Sequence, residues 1–171
     1  MHQNWKLITR TLILIPIFLF NFGCQKEVGA GSTAPNFSLS DLSGRVTSLL
    51  QHRGSVVFLD FWATWCPPCR MSIPELINVQ EKFRNKGLVV LGVSMDDPRM
   101  VNDEELLNFK QKLHINYTIL RVNQKILQDY FGDELISLPT MFIIDGDGKI
   151  RDRVVGYIPG AYEKFAQRLV E

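Results

Sequence analysis

The sequence predicts an α/β domain whose sheet is covered by helices on both faces, and three observations predict it. Two runs, Val56–Trp62 and Leu88–Val93, are apolar almost without interruption, which is the pattern of strands buried on both sides. An amphipathic stretch lies between them, so the connection reads as a parallel βαβ unit. Helical and strand-like segments then keep alternating towards the C-terminus.

The elements follow in order. Phe37-Ser38-Leu39 and Val46–Leu49 alternate around Asp41-Leu42-Ser43-Gly44, giving a short N-terminal β-hairpin that covers a sheet edge. After Val56–Trp62 a helix runs from Cys66 to Asn85, with Gly87 as its stop. Pro74 should kink or restart that helix, because its ring has no N–H for the helical ladder. Beyond the strand at Leu88–Val93 come a helix over Asn102–Leu113, a strand over Tyr117–Arg121 and a helix over Gln124–Phe131. Leu138-Pro139-Thr140 leads into Met141–Ile144, and Asp145-Gly146-Asp147-Gly148 turns the chain back into Lys149–Val155 as a hairpin. The Asp-Gly repeats lack the twelve-residue ligand spacing and closing glutamate of a calcium loop, so they read as a turn. A helix over Gly160–Val170 closes the domain.

With 171 residues, a net charge of +1 and 46% hydrophobic residues, the chain fits one globular domain with short appendages. Lysines and arginines are interspersed with acids rather than gathered in a stripe, which argues against nucleic acid as a partner. Three cysteines are too few for a disulfide scaffold. No cofactor is implied, and zinc would need ligands that Cys24, His52 and His114 do not supply as a close pair.

Lys6 and Arg10 precede the apolar run Thr11–Phe22, which is shorter than the roughly 20 residues of a membrane-spanning helix, so residues 1–23 read as a secretory signal peptide. Residues 24–34 are rich in Gly, Ser, Ala and Thr and read as a flexible tether spanning on the order of 17 Å. The folded domain is assigned to residues 35–171.

Trp65-Cys66-Pro67-Pro68-Cys69 sits at the strand-to-helix turn, where two closely spaced thiols can form and reopen a disulfide. A static disulfide is the plainer alternative. A thiolate at a helix N-terminus is favoured by the dipole and by unpaired N–H groups, so the first cysteine is the more acidic. Pro67 and Pro68 remove two such donors, which implies a moderately acidic Cys66 and a reducing rather than oxidising pair. Asp60 is a carboxylate inside an apolar strand; buried, its pKa rises, whereas at an edge it would be solvated. Trp62 and Trp65 read as core residues or shields for the sulfur, and His52 and His114 as surface or loop residues.

The order strand, Trp-Cys-x-x-Cys, kinked helix, strand, then a proline leading a hairpin resembles the thioredoxin fold. Ala34-Pro35-Asn36-Phe37, Phe61–Cys69, Leu138-Pro139-Thr140 and Phe142-Ile143-Ile144-Asp145 resemble its membrane-tethered TlpA/ResA-like branch, as does the helix-strand insertion between Asp97 and Arg121. The resemblance implies a thiol:disulfide oxidoreductase that reduces disulfides of specific proteins, with cytochrome c maturation as one setting and a membrane protein as electron donor. It implies that Cys66 attacks, that Cys69 resolves, and that Pro139 is a cis-proline exposing the backbone of Leu138 to a peptide that also meets Trp65, Pro67 and Pro68. An ordinary strand-entry proline is the alternative at Pro139. The acid of the thioredoxin pattern, which moves a proton for the resolving cysteine, falls on Asp60. Many chains of the branch have asparagine there and a glutamate three residues after the second cysteine, where this chain has Ser72; the lysine of thioredoxins falls at Gly92.

Gly23-Cys24 resembles the lipobox of bacterial lipoproteins, with Asn21 and Phe22 where the motif carries an aliphatic and a small residue. This implies an acylated Cys24 and a monomeric domain facing the periplasm, with Gln25 pointing to the outer membrane. Cleavage near Gly29 or Ala30, or an uncleaved anchor, are the other readings. A peroxiredoxin-like peroxidase and a non-catalytic tethered peptide-binding module are the rival functions, the first of which expects a threonine three rather than two residues before its cysteine.

Overall fold

The computed structural model describes residues 28–170. Residues 1–23, read above as a signal peptide, and Cys24, read as an acylation site, lie outside these described residues. The strands are β1 (Ser38–Ser40), β2 (Val46–Ser48), β3 (Val56–Trp62), β4 (Leu88–Ser94), β5 (Thr118–Arg121), β6 (Thr140–Ile144) and β7 (Ile150–Val155). The helices are α1 (Pro67–Phe83), α2 (Asp103–Lys112), α3 (Gln124–Phe131) and α4 (Ala161–Val170).

Five strands form a mixed sheet in the order β5-β4-β3-β6-β7, with β3, β4 and β5 parallel and β6 and β7 antiparallel. The two apolar runs are thus its central strands, and all seven residues of β3 are buried. Period-two alternation splits β3 between two cores. Phe58 and Trp62 face a layer containing Ile73, Leu76, Val79 and Phe83 of α1 and Tyr162 and Ala166 of α4. Val57, Leu59 and Phe61 face the layer of Phe37 and Leu39 from the hairpin and Ile126, Tyr130 and Phe131 from α3. Helices cover both faces, as the sequence predicts. The β1–β2 hairpin reaches the β5 edge through a bridge between Asp41 and Leu120, which occupies backbone groups that an open edge would expose.

Two boundaries differ from expectation. Helix α1 passes through Pro74 as one element and ends at Phe83; Arg84–Lys86 add a tighter turn, and Gly87 terminates it at φ 81°, a left-handed conformation suited to glycine. Pro74 is exposed on the outer side of the helix, where its ring does not disturb packing. The stretch read as tether is already tied down near its end: Gly31 N–H donates to the Ile150 carbonyl at 2.7 Å, Ile150 N–H to Ser32 at 2.9 Å, and Ala34 N–H to Gly148 at 2.9 Å. Backbone pairing with the start of β7, rather than side-chain burial, fixes this segment, which is why composition did not reveal it.

Candidate active site

The end of β3 and the start of α1 form a braced corner. Met95 N–H donates to the Trp62 carbonyl at 2.8 Å, and Cys66 N–H donates to Ala63 at 3.2 Å. The buried Asp96 carboxylate accepts from Thr64 N–H at 3.1 Å, Thr64 Oγ1 at 2.7 Å and Ser94 Oγ at 2.9 Å. Asp96 therefore bolts the loop ahead of the cysteines to the end of β4. Sequence reasoning missed it, although a carboxylate just past the C-terminal end of a parallel strand was a usable signal.

Cys66 is the N-cap of α1, and a disulfide joins it to Cys69 with S–S 2.04 Å and Cα–Cα 5.3 Å. Cys69 N–H points at Cys66 Sγ at 3.3 Å. Pro67 and Pro68 fill the first two helical positions, so they bring no N–H to the sulfur and leave the Cys69 amide as the donor. Cys66 is the more exposed of the two, at 3% against 0% for Cys69.

A surface recess of about 420 Å³ opens beside the disulfide, lined by Trp65, Cys66, Pro67, Pro68, Met95, Ile136 and Leu138. Trp65 is 66% exposed beside it, so it is not a core residue. Trp62, by contrast, is fully buried. The Leu138–Pro139 bond is cis, and Gly156 N–H donates to the Pro139 carbonyl at 2.7 Å, attaching this loop to the end of β7. The structure thus brings Trp65, Pro67, Pro68, Leu138 and the disulfide to one surface. His52 and His114 are not among the residues of the recess.

Asp60 lies in central β3, on the same face as Phe58 and Trp62, and is 0% exposed; the solvated-edge alternative is excluded. Burial raises its pKa from 3.8 to about 7. Its register partner on β4 is Gly92, so the position read as the lysine of thioredoxins does face the acid, without any side chain. Ser72 is buried, and its hydroxyl donates to the Cys69 carbonyl at 2.8 Å. Such a corner can hold an accessible sulfur, a hidden sulfur and a carboxyl that changes charge near neutral pH.

Residues 30–153 match the AhpC/TSA family. The chain belongs to that family. It is 34% identical to the thiol-disulfide oxidoreductase ResA of Geobacillus thermodenitrificans (strain NG80-2), with 91% of each chain covered. It is 30% identical to ResA of Bacillus subtilis (strain 168), covering 91% of this chain and 88% of that one. Among solved structures, a putative thiol:disulfide interchange protein DsbE from Chlorobium tepidum superposes with a TM-score of 0.73 at 31% identity, over 85% of this chain and 100% of that one. This member of the family is a thiol:disulfide oxidoreductase with the thioredoxin fold expected from sequence. Among the described residues no helix is long and apolar enough to cross a membrane.

Proposed function

We propose that this protein is an extracytoplasmic, membrane-tethered reductase of disulfides in specific proteins. The observation that carries the reading is a disulfide whose outer sulfur, Cys66, opens onto an apolar recess while its inner sulfur is buried in the core that also holds Asp60. In the reduced enzyme the Cys66 thiolate attacks a substrate disulfide, forming a mixed disulfide and releasing one substrate thiol. Cys69 gives its proton to the Asp60 carboxylate, and its thiolate attacks Cys66 Sγ. The second substrate thiol leaves, the enzyme is left oxidised, and two electrons have passed to the substrate. A membrane donor protein then returns two electrons to the Cys66–Cys69 pair.

Direction is supported by the sparse donor set around Cys66. A thiolate that receives only the Cys69 amide is stabilised less than one at a helix start with three free amides, so the reduced form is not favoured strongly enough to make an oxidant. Trp65, Pro67, Pro68 and Leu138 form the platform for an extended, apolar substrate segment, with Pro139 setting the backbone of Leu138 through its cis bond. Residues 1–23 are the export signal and Cys24 carries the lipid, holding the monomeric domain on the periplasmic side, with the outer membrane favoured by Gln25. Apocytochrome c is the substrate class suggested by the TlpA/ResA-like resemblance.

The test is capture of substrates in the cell envelope with Cys69→Ser, read on non-reducing gels. The expected result is mixed disulfides through Cys66 that vanish in Cys66→Ser. Peroxide consumption without any trapped protein would favour a peroxidase, and full cellular function of Cys66→Ser would favour a docking module.

A further inference from the structure

Around Asp60 the structure gathers polar groups that the reaction above does not use. Gly92, the register partner of Asp60, lies under two aromatic side chains: a Cβ there would stand 2.8 Å from Trp62 Nε1 and 3.1 Å from Tyr117 Cε2. The glycine is what lets the indole N–H and the tyrosine approach the strand beside the acid. Tyr162, from α4, belongs to the same buried layer as Trp62, Tyr117 and Cys69. Both Asp60 carboxyl oxygens, Trp62 Nε1, Tyr117 Oη and Tyr162 Oη are buried and have no hydrogen-bond partner among the described residues. One acceptor pair and three donors buried in one layer are costly to bury unless they satisfy one another, directly or through internal water.

The groups are also coupled electrostatically. Burial raises the pKa of Tyr117, and the Asp60 charge and Tyr162 raise it further. Burial, then Asp60, then Glu75 and Tyr157, raise that of Tyr162, while the nearby Ser72 hydroxyl works the other way. Both tyrosines therefore remain neutral donors throughout the working range of the enzyme. Tyr162 is held in place from the first turn of α4. Its ring lies 6.1 Å from that of Tyr157, and the Glu75 carboxylate accepts from the Tyr162 backbone N–H at 3.0 Å. Glu75 and Tyr157 are half-buried and reach solvent. The titratable groups facing Asp60 are thus Tyr117 before β5, Tyr162 on α4 and the cysteines at the start of α1, with Glu75 and Tyr157 beyond Tyr162.

We propose that Tyr117 and Tyr162, with Trp62 Nε1 and internal water, form a neutral cage around Asp60 that takes the place of a cation. This rests on the reading of Asp60 as proton acceptor for Cys69. When Cys69 has lost its proton to Asp60 and attacked Cys66, Asp60 holds a neutral carboxyl that must be emptied before the next turnover. The proton passes through internal water to solvent, while Tyr117 and Tyr162 keep their own hydrogens and turn them towards the carboxylate that forms. The carboxylate left in the core is the charge that the hydroxyls and the indole N–H hold.

Tyr117→Phe and Tyr162→Phe keep the rings and remove one donor each. The Asp60 carboxyl is followed by infrared difference spectroscopy against pH in the full chain, and release of the second substrate thiol by stopped flow with a disulfide peptide. Each variant is expected to raise the Asp60 midpoint by about one pH unit and slow resolution roughly tenfold at neutral pH. Mixed-disulfide formation by Cys66, measured in a Cys69→Ser background, should stay within about twofold. If Tyr162→Phe does not fold, 3-fluorotyrosine at position 162, a stronger donor, should lower the midpoint instead. An altered pH profile in Asp60→Asn with unmoved midpoints in the tyrosine variants overturns the cage alone. An unaltered profile in Asp60→Asn removes the Asp60 role and the cage together.

Discussion

Replacing Asp60 by asparagine should abolish the loss of stability that the oxidised wild-type protein undergoes between acid and alkaline pH. In the unfolded chain the carboxyl ionises near its ordinary pKa of 3.8, whereas in the folded protein it holds its proton until about pH 7. Below pH 3.8 both states are protonated and the group has no differential effect. Between the two values the unfolded state alone is charged and solvated, so wild-type stability falls as pH rises, and above about 7 the loss is complete. About three pH units at roughly 1.4 kcal/mol each amount to about 4 kcal/mol. The asparagine variant lacks this dependence, and the intrinsic cost of its buried amide cancels when each protein is compared with itself at two pH values. Guanidinium unfolding of both oxidised proteins at pH 4 and pH 8 measures the difference, which should also appear as a gap on the order of 10 °C in their Tm changes. Parallel pH profiles for the two proteins would refute a buried Asp60 that keeps its proton to about pH 7.

Three further outcomes are expected. Asp96→Ala removes the acceptor of the Thr64 amide, the Thr64 hydroxyl and the Ser94 hydroxyl, and should cost about 2–4 kcal/mol in chemical unfolding while slowing exchange through a loosened cysteine corner. Gly92→Ala drives a methyl to within 2.8 Å of the Trp62 indole nitrogen and should destabilise by about 1–3 kcal/mol, with a shift in Trp62 fluorescence that Gly146→Ala does not reproduce. Glu75→Gln weakens an anionic cap on the N-terminus of α4, where the carboxylate accepts from Gly160, Tyr162 and Glu163 N–H groups at 3.1, 3.0 and 3.3 Å. The expected cost is about 1 kcal/mol, seen as faster amide hydrogen exchange in the first turn of α4.

The fold was legible because its strongest signals are local. Val56–Trp62 and Leu88–Val93 state their burial by composition, and the Asp145–Gly148 turn states its hairpin by residue type. The cysteine pair and the anomalous Asp60 were legible for the same reason, each being unusual against its neighbours. Asp96, Tyr117, Tyr162 and Glu75 were not, because their partners lie far along the chain: Asp96 serves Thr64, and Glu75 serves residues on α4. A buried tyrosine in an apolar segment looks like any core aromatic until the sheet register sets Asp60 across from Gly92. Gly31–Ala34 hid their pairing behind a tether-like composition, since strand addition through the backbone leaves no side-chain signature.

That pairing also fixes the point from which the N-terminal segment leaves the domain. Gly31–Ala34 meet the chain at Gly148–Ile150, beside the end of β6 that pairs with the beginning of β3, whereas the disulfide follows the other end of β3. Seven residues of strand hold these two ends about 20 Å apart. A lipid on Cys24 would leave six residues before Gly31, a leash of at most about 25 Å fastened at the far pole from the sulfurs. On such a leash an upright domain would present its chemistry away from the membrane, and a donor in the same membrane would reach Cys66 only by projecting past the domain or by waiting for it to tip onto its side.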